Sequence, residues 1–125
     1  MPALSNTPNQ SGVMADDNGA MTVVQRAFAD PASIGDNLIV AAVAGKSIRV
    51  LAAMMMNNVA LAQSARFRSA ANSISPLNAF GVVANGIMSY PFNPMGWFQT
   101  NAGEALNLNL TAATAVGVMV TYILV

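Results

Sequence analysis

The sequence contains no cysteine and no histidine. Without cysteine the chain has no disulfide framework, no thiolate metal ligand and no cysteine nucleophile. Without histidine it lacks the commonest general base and the commonest zinc ligand. We therefore expect a protein that is not an enzyme and that holds neither a metal nor a cofactor.

The acidic side chains form no catalytic pattern either. Asp30 and Asp36 lie in predicted turns, where aspartate ordinarily accepts backbone hydrogen bonds, whereas a glycosidase needs two carboxylates facing one cleft. Residues 16–19 read Asp-Asp-Asn-Gly but lack the spacing and the terminal glutamate of an EF-hand calcium loop. The sequence also has no nucleophile elbow and no glycine-rich phosphate-binding motif. These absences favour a protein that holds other molecules over one that transforms them.

Charge is scarce and balanced. The 125 residues include 5 basic and 5 acidic side chains, so the formal net charge is zero. Charged residues make up 8 % of the chain, against about 25 % in typical soluble domains. A nucleic-acid partner is not expected, because phosphate binding needs clustered Lys and Arg. Since 54 % of the residues are apolar, either the chain lies in a membrane or much of its surface is buried against copies or partners.

Residues 105–125 are uncharged and long enough to cross a bilayer. However, Leu106 and Leu108 alternate with Asn107 and Asn109, a period of two that a helix would scatter around its surface. The asparagine side chains would be costly in hydrocarbon, and no Lys or Arg flanks the segment to orient it. We therefore expect a strand here and no membrane partner.

Residues 1–20 contain two prolines, two glycines and four Asn or Gln side chains. Such a composition cannot bury a core of its own. It predicts an extended or flexible N-terminal arm, either ordered on a neighbouring subunit or serving as a plain leader. Residues 21–125 form the predicted folded domain.

From residue 21 onward, short apolar segments alternate with turn signals. The predicted strands cover residues 21–29, 38–43, 47–56, 59–69, 81–90, 104–111 and 116–125, with turns at residues 30–31, 35–37, 57–58 and 85–86. Residues 41–65 would also suit a helix by propensity, but Gly45 and the Asn57-Asn58 pair interrupt them. The pattern predicts an all-β sandwich or barrel.

Strict alternation assigns faces to three of these strands. Residues 47–56 are apolar on both faces, with Ile48, Val50, Ala52 and Met54 on one and Arg49, Leu51, Ala53 and Met55 on the other. Residues 59–69 point inward with Val59, Leu61, Ala65 and Phe67. Residues 116–125 carry Val116, Val118, Val120, Tyr122 and Leu124 on one face. A strand that is apolar on both faces is covered twice, as in a sandwich or an oligomer.

Seven side chains are candidates for contacts with a partner or with other subunits: Arg49, Arg66, Arg68, Met54, Met56, Trp97 and Phe98. The arginines form a weak positive stripe that either docks on an acidic partner or simply solubilises one face. The methionines offer an adaptable contact surface or fill the core. Trp97 and Phe98 serve as core or subunit anchors, or as a platform for a sugar.

Four stretches resemble a family of small virion proteins of tailed bacteriophages, which includes capsid decoration (cement) proteins. They are residues 35–51, 91–100, 103–110 and 120–125, and the most specific is the string Gly-Glu-Ala-Leu-Asn-Leu-Asn-Leu at 103–110. The resemblance covers roughly half of the chain, and residues 54–80 depart from the family's pattern.

The resemblance implies a jelly-roll-like antiparallel β-sandwich that forms a homotrimer. The trimer would bind the major capsid protein on the outer surface of the virion, after synthesis in the host cytoplasm, and stabilise the shell. The alternative function is a jelly-roll subunit of a tail or head fibre that binds a host glycan.

Overall fold

The computed structural model describes residues 12–15, 17–74 and 80–125. Within these residues the chain is all-β and has no helix, which confirms the predicted fold class. The strands are β1 (Val13–Ala15), β2 (Met21–Val23), β3 (Gln25–Ala29), β4 (Gly35–Val40), β5 (Ile48–Asn57), β6 (Gln63–Ser69), β7 (Asn72–Ser73), β8 (Phe80–Val82), β9 (Ile87–Tyr90), β10 (Phe98–Gln99), β11 (Leu106–Leu110) and β12 (Val116–Leu124).

Two antiparallel sheets enclose the core. The first sheet has the order β10-β5-β12-β3, with β9 also paired to β5, and the second has the order β4-β11-β6-β7, with β8 also paired to β6. Strands β1 and β2 form a separate hairpin. The inner faces bury one hydrophobic cluster, to which Met55 and Val120 of the first sheet and Phe67 and Leu108 of the second contribute.

The strand order is that of a jelly roll. Eight strands make up the sandwich: β3, β4, β5, β6, β8, β9, β11 and β12. The first sheet has the order β3-β12-β5-β9 and the second has the order β4-β11-β6-β8. If the eight strands are renumbered 1 to 8 along the chain, these orders are 1-8-3-6 and 2-7-4-5. Successive strands lie in opposite sheets, except for β6 and β8, which pair with each other. Interleaved connections of this kind produce the two Greek keys of a jelly roll.

One edge of each sheet is a strand in two pieces. On the first sheet, β9 pairs with residues 53–56 of β5 and β10 pairs with Arg49 and Val50, so residues 91–97 interrupt one edge strand. On the second sheet, β7 and β8 pair with successive parts of β6. The predicted irregular segment around Pro76 falls here, and residues 75–79 lie outside the described residues.

The predicted faces of residues 47–56 are wrong after Val50, because β5 contains a bulge. Tyr122 of β12 pairs with Val50, but Thr121 pairs with Ala52, so Leu51 is an extra residue. An extra residue shifts the alternation by one position. Ala53 and Met55 therefore face the core, and Met54 and Met56 face outward.

The predicted Asn57-Asn58 hairpin is also wrong. Strand β6 lies in the other sheet, so residues 58–62 have to cross between the sheets. Asn57 instead ends β5 as a fully buried side chain, and its amide donates to the carbonyl oxygen of Leu61 at 2.6 Å. Leu61, predicted to face inward, is exposed, because the strand begins only at Gln63.

Two other boundaries differ from the prediction. Residues 35–37, predicted as a turn, begin β4, since they pair with Leu108, Asn109 and Leu110 of β11. The strand then ends at Val40 rather than at residue 43. The predicted faces of residues 116–125 agree with the structure, in which Val116, Val118, Val120 and Tyr122 belong to the core cluster.

The described part of the predicted arm is folded back on the domain. Strand β1 pairs with β2 in register Val13 with Val23, and the Thr22 hydroxyl donates to the carbonyl oxygen of Leu124 at 3.1 Å. Residues 1–11 and 16 of the predicted arm lie outside the described residues.

Candidate interaction surfaces

The seven predicted contact residues lie in three separate places. Met54 and Met56 face outward on the first sheet, and Arg66 and Arg68 face outward on the second. The remaining three, Arg49, Trp97 and Phe98, lie together where β10 meets β5. The structure therefore offers three surfaces to examine.

The outer face of the first sheet carries a groove lined mainly by apolar side chains. Its volume is about 400 Å³, and its lining consists of Phe28, Ala29, Asp30, Met54, Met56, Gly117, Val118 and Met119. We call it the apolar groove. Phe28 is 66 % exposed and Met56 is 44 % exposed, so this surface is open to solvent in the isolated chain.

The register of three strands produces the groove. Phe28 and Met54 both pair with Met119, which places three large side chains in one row across the sheet. In the next row, Gly117 pairs with Met56, and the absence of a side chain at Gly117 leaves a hollow there. Ile87 pairs with Met56 and, at 62 % exposure, extends the apolar surface beyond the groove.

The sequence predicted only the methionines of this surface. Phe28 was missed because the sequence pattern assigns no faces to residues 21–29, and Met119 was missed because it lies on the face of residues 116–125 opposite the predicted inward residues. The alternation of residues 116–125 already placed Gly117 and Met119 on the face opposite Val116. Only the pairing of β12 with β3, which the sequence does not reveal, brings Phe28 beside them.

The outer face of the second sheet is mostly polar, with Leu38 exposed on its edge strand, and several of its polar side chains pair with one another. The Arg68 guanidinium lies 3.1 Å from the Asp36 carboxylate and also donates to the carbonyl oxygen of Ala71. The Asn109 amide donates to the same carboxylate at 2.8 Å. Arg66 pairs with Asn109 in the ladder. The predicted positive stripe is therefore half neutralised, because Asp36 balances Arg68.

Arg49 ties the N-terminal hairpin to the first sheet. Its guanidinium donates to both carboxylate oxygens of Asp17, at 2.9 and 2.5 Å, and its Nε donates to the side-chain oxygen of Gln99 at 3.0 Å. The hydrogen bond from Arg49 holds the pKa of the Asp17 carboxyl below its usual range. Arg49 is thus occupied within the chain.

Gly96 lets the loop of residues 91–97 lie against Arg49. Its φ is +83°, and a Cβ there would lie 2.6 Å from the Cγ of Arg49, so a larger residue would collide as well as strain the backbone. The loop leaves a cavity of about 350 Å³ lined by Asp17, Arg49, Met95, Gly96, Trp97, Phe98 and Gln99.

The two aromatic candidates have different surroundings. Trp97 is 36 % exposed, its Nε1 donates to the carbonyl oxygen of Pro91 at 2.7 Å, and its ring lies 5.3 Å from that of Tyr90. Phe98 packs against the core cluster, 5.1 Å from the ring of Phe67. Trp97 can therefore meet a ligand, whereas most of Phe98 is used in packing.

In residues 12–15, 17–74 and 80–125 no three acidic side chains lie close enough to hold a metal ion. Over the same residues, no helix has the length and hydrophobicity to cross a membrane.

Comparisons with models of known protein families, with curated proteins and with solved structures find no match.

Proposed function

We propose that the protein is a structural component of a tailed-bacteriophage virion, a decoration protein that binds the outer surface of the head as a homotrimer and stabilises the shell. The observation that carries the proposal is the open apolar groove on a complete jelly-roll domain. The exposed Phe28 and Met56 and the half-buried Met54 and Met119 form one apolar surface, and apolar patches on a protein surface typically mark protein–protein contacts.

The groove supplies the contact between subunits. Burying one Met or Phe side chain contributes about 1.5–3 kcal/mol, so a few of them across three interfaces would hold a trimer. Methionine suits such a contact because its unbranched side chain adapts to an irregular partner surface. The low overall charge also fits a chain whose surface is covered by other copies.

The trimer would stabilise the shell by mass action. A protein that binds the assembled lattice but not its dissociated subunits shifts the equilibrium toward assembly by its binding free energy. Three arms on one trimer engage three capsid sites at once, so modest single contacts add up to strong attachment. The partner in this proposal is the major capsid protein, and the N-terminal residues before the hairpin reach it.

The acidic side chains support a holding role. Asp36 accepts hydrogen bonds from Arg68 and Asn109, and Glu104 accepts hydrogen bonds from Ser69 and Asn101. Each of these carboxylates fixes one segment of the chain to another.

Copy number in purified virions of the encoding phage tests the proposal. Quantitative mass spectrometry against the major capsid protein should find on the order of hundreds of copies, as the symmetry of a head lattice requires. Light scattering on the purified protein should give the mass of a trimer. Absence from virions, or a stable monomer at micromolar concentration, would overturn the proposal.

A chain lacking residues 1–11 tests the arm separately. It keeps the hairpin and the apolar groove, so it should remain a trimer and lose occupancy on the head. Full occupancy by this shortened chain would remove the arm from the mechanism while leaving the groove in place.

The second candidate is a subunit of a tail or head fibre that binds a host glycan, and the cavity beside Trp97 favours it. There an exposed indole lies near the polar side chains of Asp17 and Gln99, a combination that can stack on a sugar ring and bind its hydroxyls.

Roughly a dozen copies per virion would fit a fibre. Glycans that change the fluorescence of Trp97, the only tryptophan, would support this role, and Trp97→Phe should remove the signal.

A further inference from the structure

Strand β3 is an open edge of the first sheet. Among the described residues, β12 is the only strand paired with it. An open edge offers a row of backbone N–H and C=O groups to another strand, and proteins ordinarily protect such edges with charges, bulges or a covering segment. Here the edge carries an aromatic side chain, Phe28, that is 66 % exposed.

The charges around Phe28 are placed symmetrically. Arg26 lies two residues before it and Asp30 lies two residues after it, so all three belong to the outward face. The Oδ1 of Asp30 lies 3.7 Å from the Cβ position built on Gly117, which confirms its place over that face. Both charged residues are exposed.

We propose that β3 pairs antiparallel with β3 of a second copy of this chain, around a two-fold axis at Phe28. In that register Phe28 lies opposite its own equivalent, Arg26 lies opposite Asp30 of the second copy, and Asp30 lies opposite its Arg26. Residues directly opposite in an antiparallel pair have Cβ atoms about 4.5–5.5 Å apart, so both charge pairs can form. The same segment would meet like charges in a parallel pairing in register.

This spacing selects a second copy over a different protein. An isologous contact requires a patch that complements itself under a two-fold rotation, and a cation and an anion equidistant from an apolar centre meet that requirement. The contact also joins the first sheet of one copy to the first sheet of the other, so that they form one continuous sheet. The two apolar grooves then lie side by side. This two-fold contact is distinct from the three-fold contact of the proposed trimer, and it does not depend on a place in a virion.

A single cysteine tests the axis, because the chain has none of its own. Phe28→Cys places two thiols opposite each other at the axis, and mild oxidation should convert the chain to a covalent dimer. The matched control is Leu38→Cys on β4, an edge strand of the second sheet, where the side chain is 61 % exposed. Leu38→Cys should remain uncross-linked under the same conditions.

The yield distinguishes a two-fold from a three-fold contact. Around a two-fold axis the cross-linking runs to completion, whereas three thiols around a three-fold axis stop at about two thirds. Equal cross-linking of Phe28→Cys and Leu38→Cys, or a yield that stops at that fraction, would overturn the proposal.

Charge reversal provides an independent test on the uncross-linked protein. Arg26→Asp puts like charges opposite each other twice in the pair and should raise its dissociation constant about tenfold or more. Asp30→Arg should do the same, and the double variant Arg26→Asp/Asp30→Arg should restore the association. Arg66→Asp, on the second sheet, makes the same change of charge and should have no effect.

Light scattering at high concentration supplies the readout and separates the two proposals. A particle with an even number of chains supports the two-fold contact. It would be a hexamer if the proposed trimer also forms, and a dimer if the trimer does not form. A mass that stays at three chains overturns the two-fold contact and leaves the trimer standing. Failure of the double variant to restore association would also refute the β3 register.

Discussion

The outward positions of the two sheets carry different chemistry, although both sheets contribute to one hydrophobic core. On the first sheet the outward residues include Phe28, Met54 and Met119, which form a groove. On the second sheet they include Asp36, Arg68 and Asn109, which bond to one another. Both faces come from the same alternation of inward and outward residues.

The difference between the two outer faces helps to distinguish residues that the fold requires from residues that are available for contacts with other molecules. The second sheet shows that outward side chains of this sandwich can be polar, because they can form hydrogen bonds to neighbouring side chains and to water. Apolar outward residues are therefore not a general requirement for a sheet in this fold. Phe28, Met54 and Met119 give the first sheet an outer surface of the kind that suits contact with another protein.

The largest effect on stability is expected from Gln63→Ala, because the Gln63 side chain is buried inside the sandwich. The Gln63 side chain accepts hydrogen bonds from the backbone N–H of Thr111 and Ala112 and donates to the carbonyl oxygen of Ala112 at 2.7 Å. Removing this buried side chain leaves a void and several part-buried backbone groups without partners, so the unfolding free energy should fall by about 2–3 kcal/mol. Urea denaturation measures the change.

Gln99→Ala is the control for that variant. Gln99 is exposed on β10, so its loss should change stability by less than about 0.5 kcal/mol. Equal effects of the two substitutions would contradict the structural role of Gln63.

The next largest effect is expected from a charge in the apolar groove. Met54→Lys should weaken self-association about a hundredfold, since it places an unpaired ammonium in an apolar contact. The monomer itself should fold normally, because Met54 points outward. Ser64→Lys makes a comparable change on the outer face of the second sheet and should leave the mass in light scattering unchanged.

A smaller effect is expected when the second face loses its ion pair. Asp36→Asn removes the charge that balances Arg68 and should cost about 0.5–1 kcal/mol of stability, less at high salt. A double-mutant cycle with Arg68→Met isolates the pair. Self-association should not change, and a shift in oligomer mass would mean that this face also contacts another subunit.

The smallest effect is expected at the hairpin, through the pH dependence of the Asp17–Arg49 pair. The pKa of Asp17 is lowered in the folded chain, so its stabilisation is present above the unfolded pKa and is lost as the pH falls through the folded pKa. Carboxyl NMR should show a pKa below the usual aspartate range. Arg49→Met should return that pKa to the usual range, and Arg66→Met should leave it lowered.

The sequence predicted the elements whose signal is local. Residues 104–111 and 116–125 alternate without interruption, and the structure contains β11 and β12 there. The Asn85-Gly86 turn is also present, with Asn85 at φ 56°. In each case the period of two or the turn residue acts within its own segment.

The misplaced elements depend on contacts that are distant in the chain. Asn57 was assigned to a turn, yet its amide bonds to the carbonyl oxygens of Val82 and Val83, which lie about 25 residues away. The bulge at Leu51 is visible only in the pairing with β12. The groove shares this property, since its sides come from β3, β5 and β12.

Leu51 has a consequence for how this protein tolerates genetic change. Its side chain is buried, but it is one residue more than the pairing of β5 with β12 requires at that point. Deletion of Leu51 would leave a regular strand in which Ala52 follows Val50, so Met54 and Met56 would still face outward and Asn57 would still face the core. The ladder of β6 with β11 has no extra residue, so a deletion there would turn every later side chain of the strand to the opposite face.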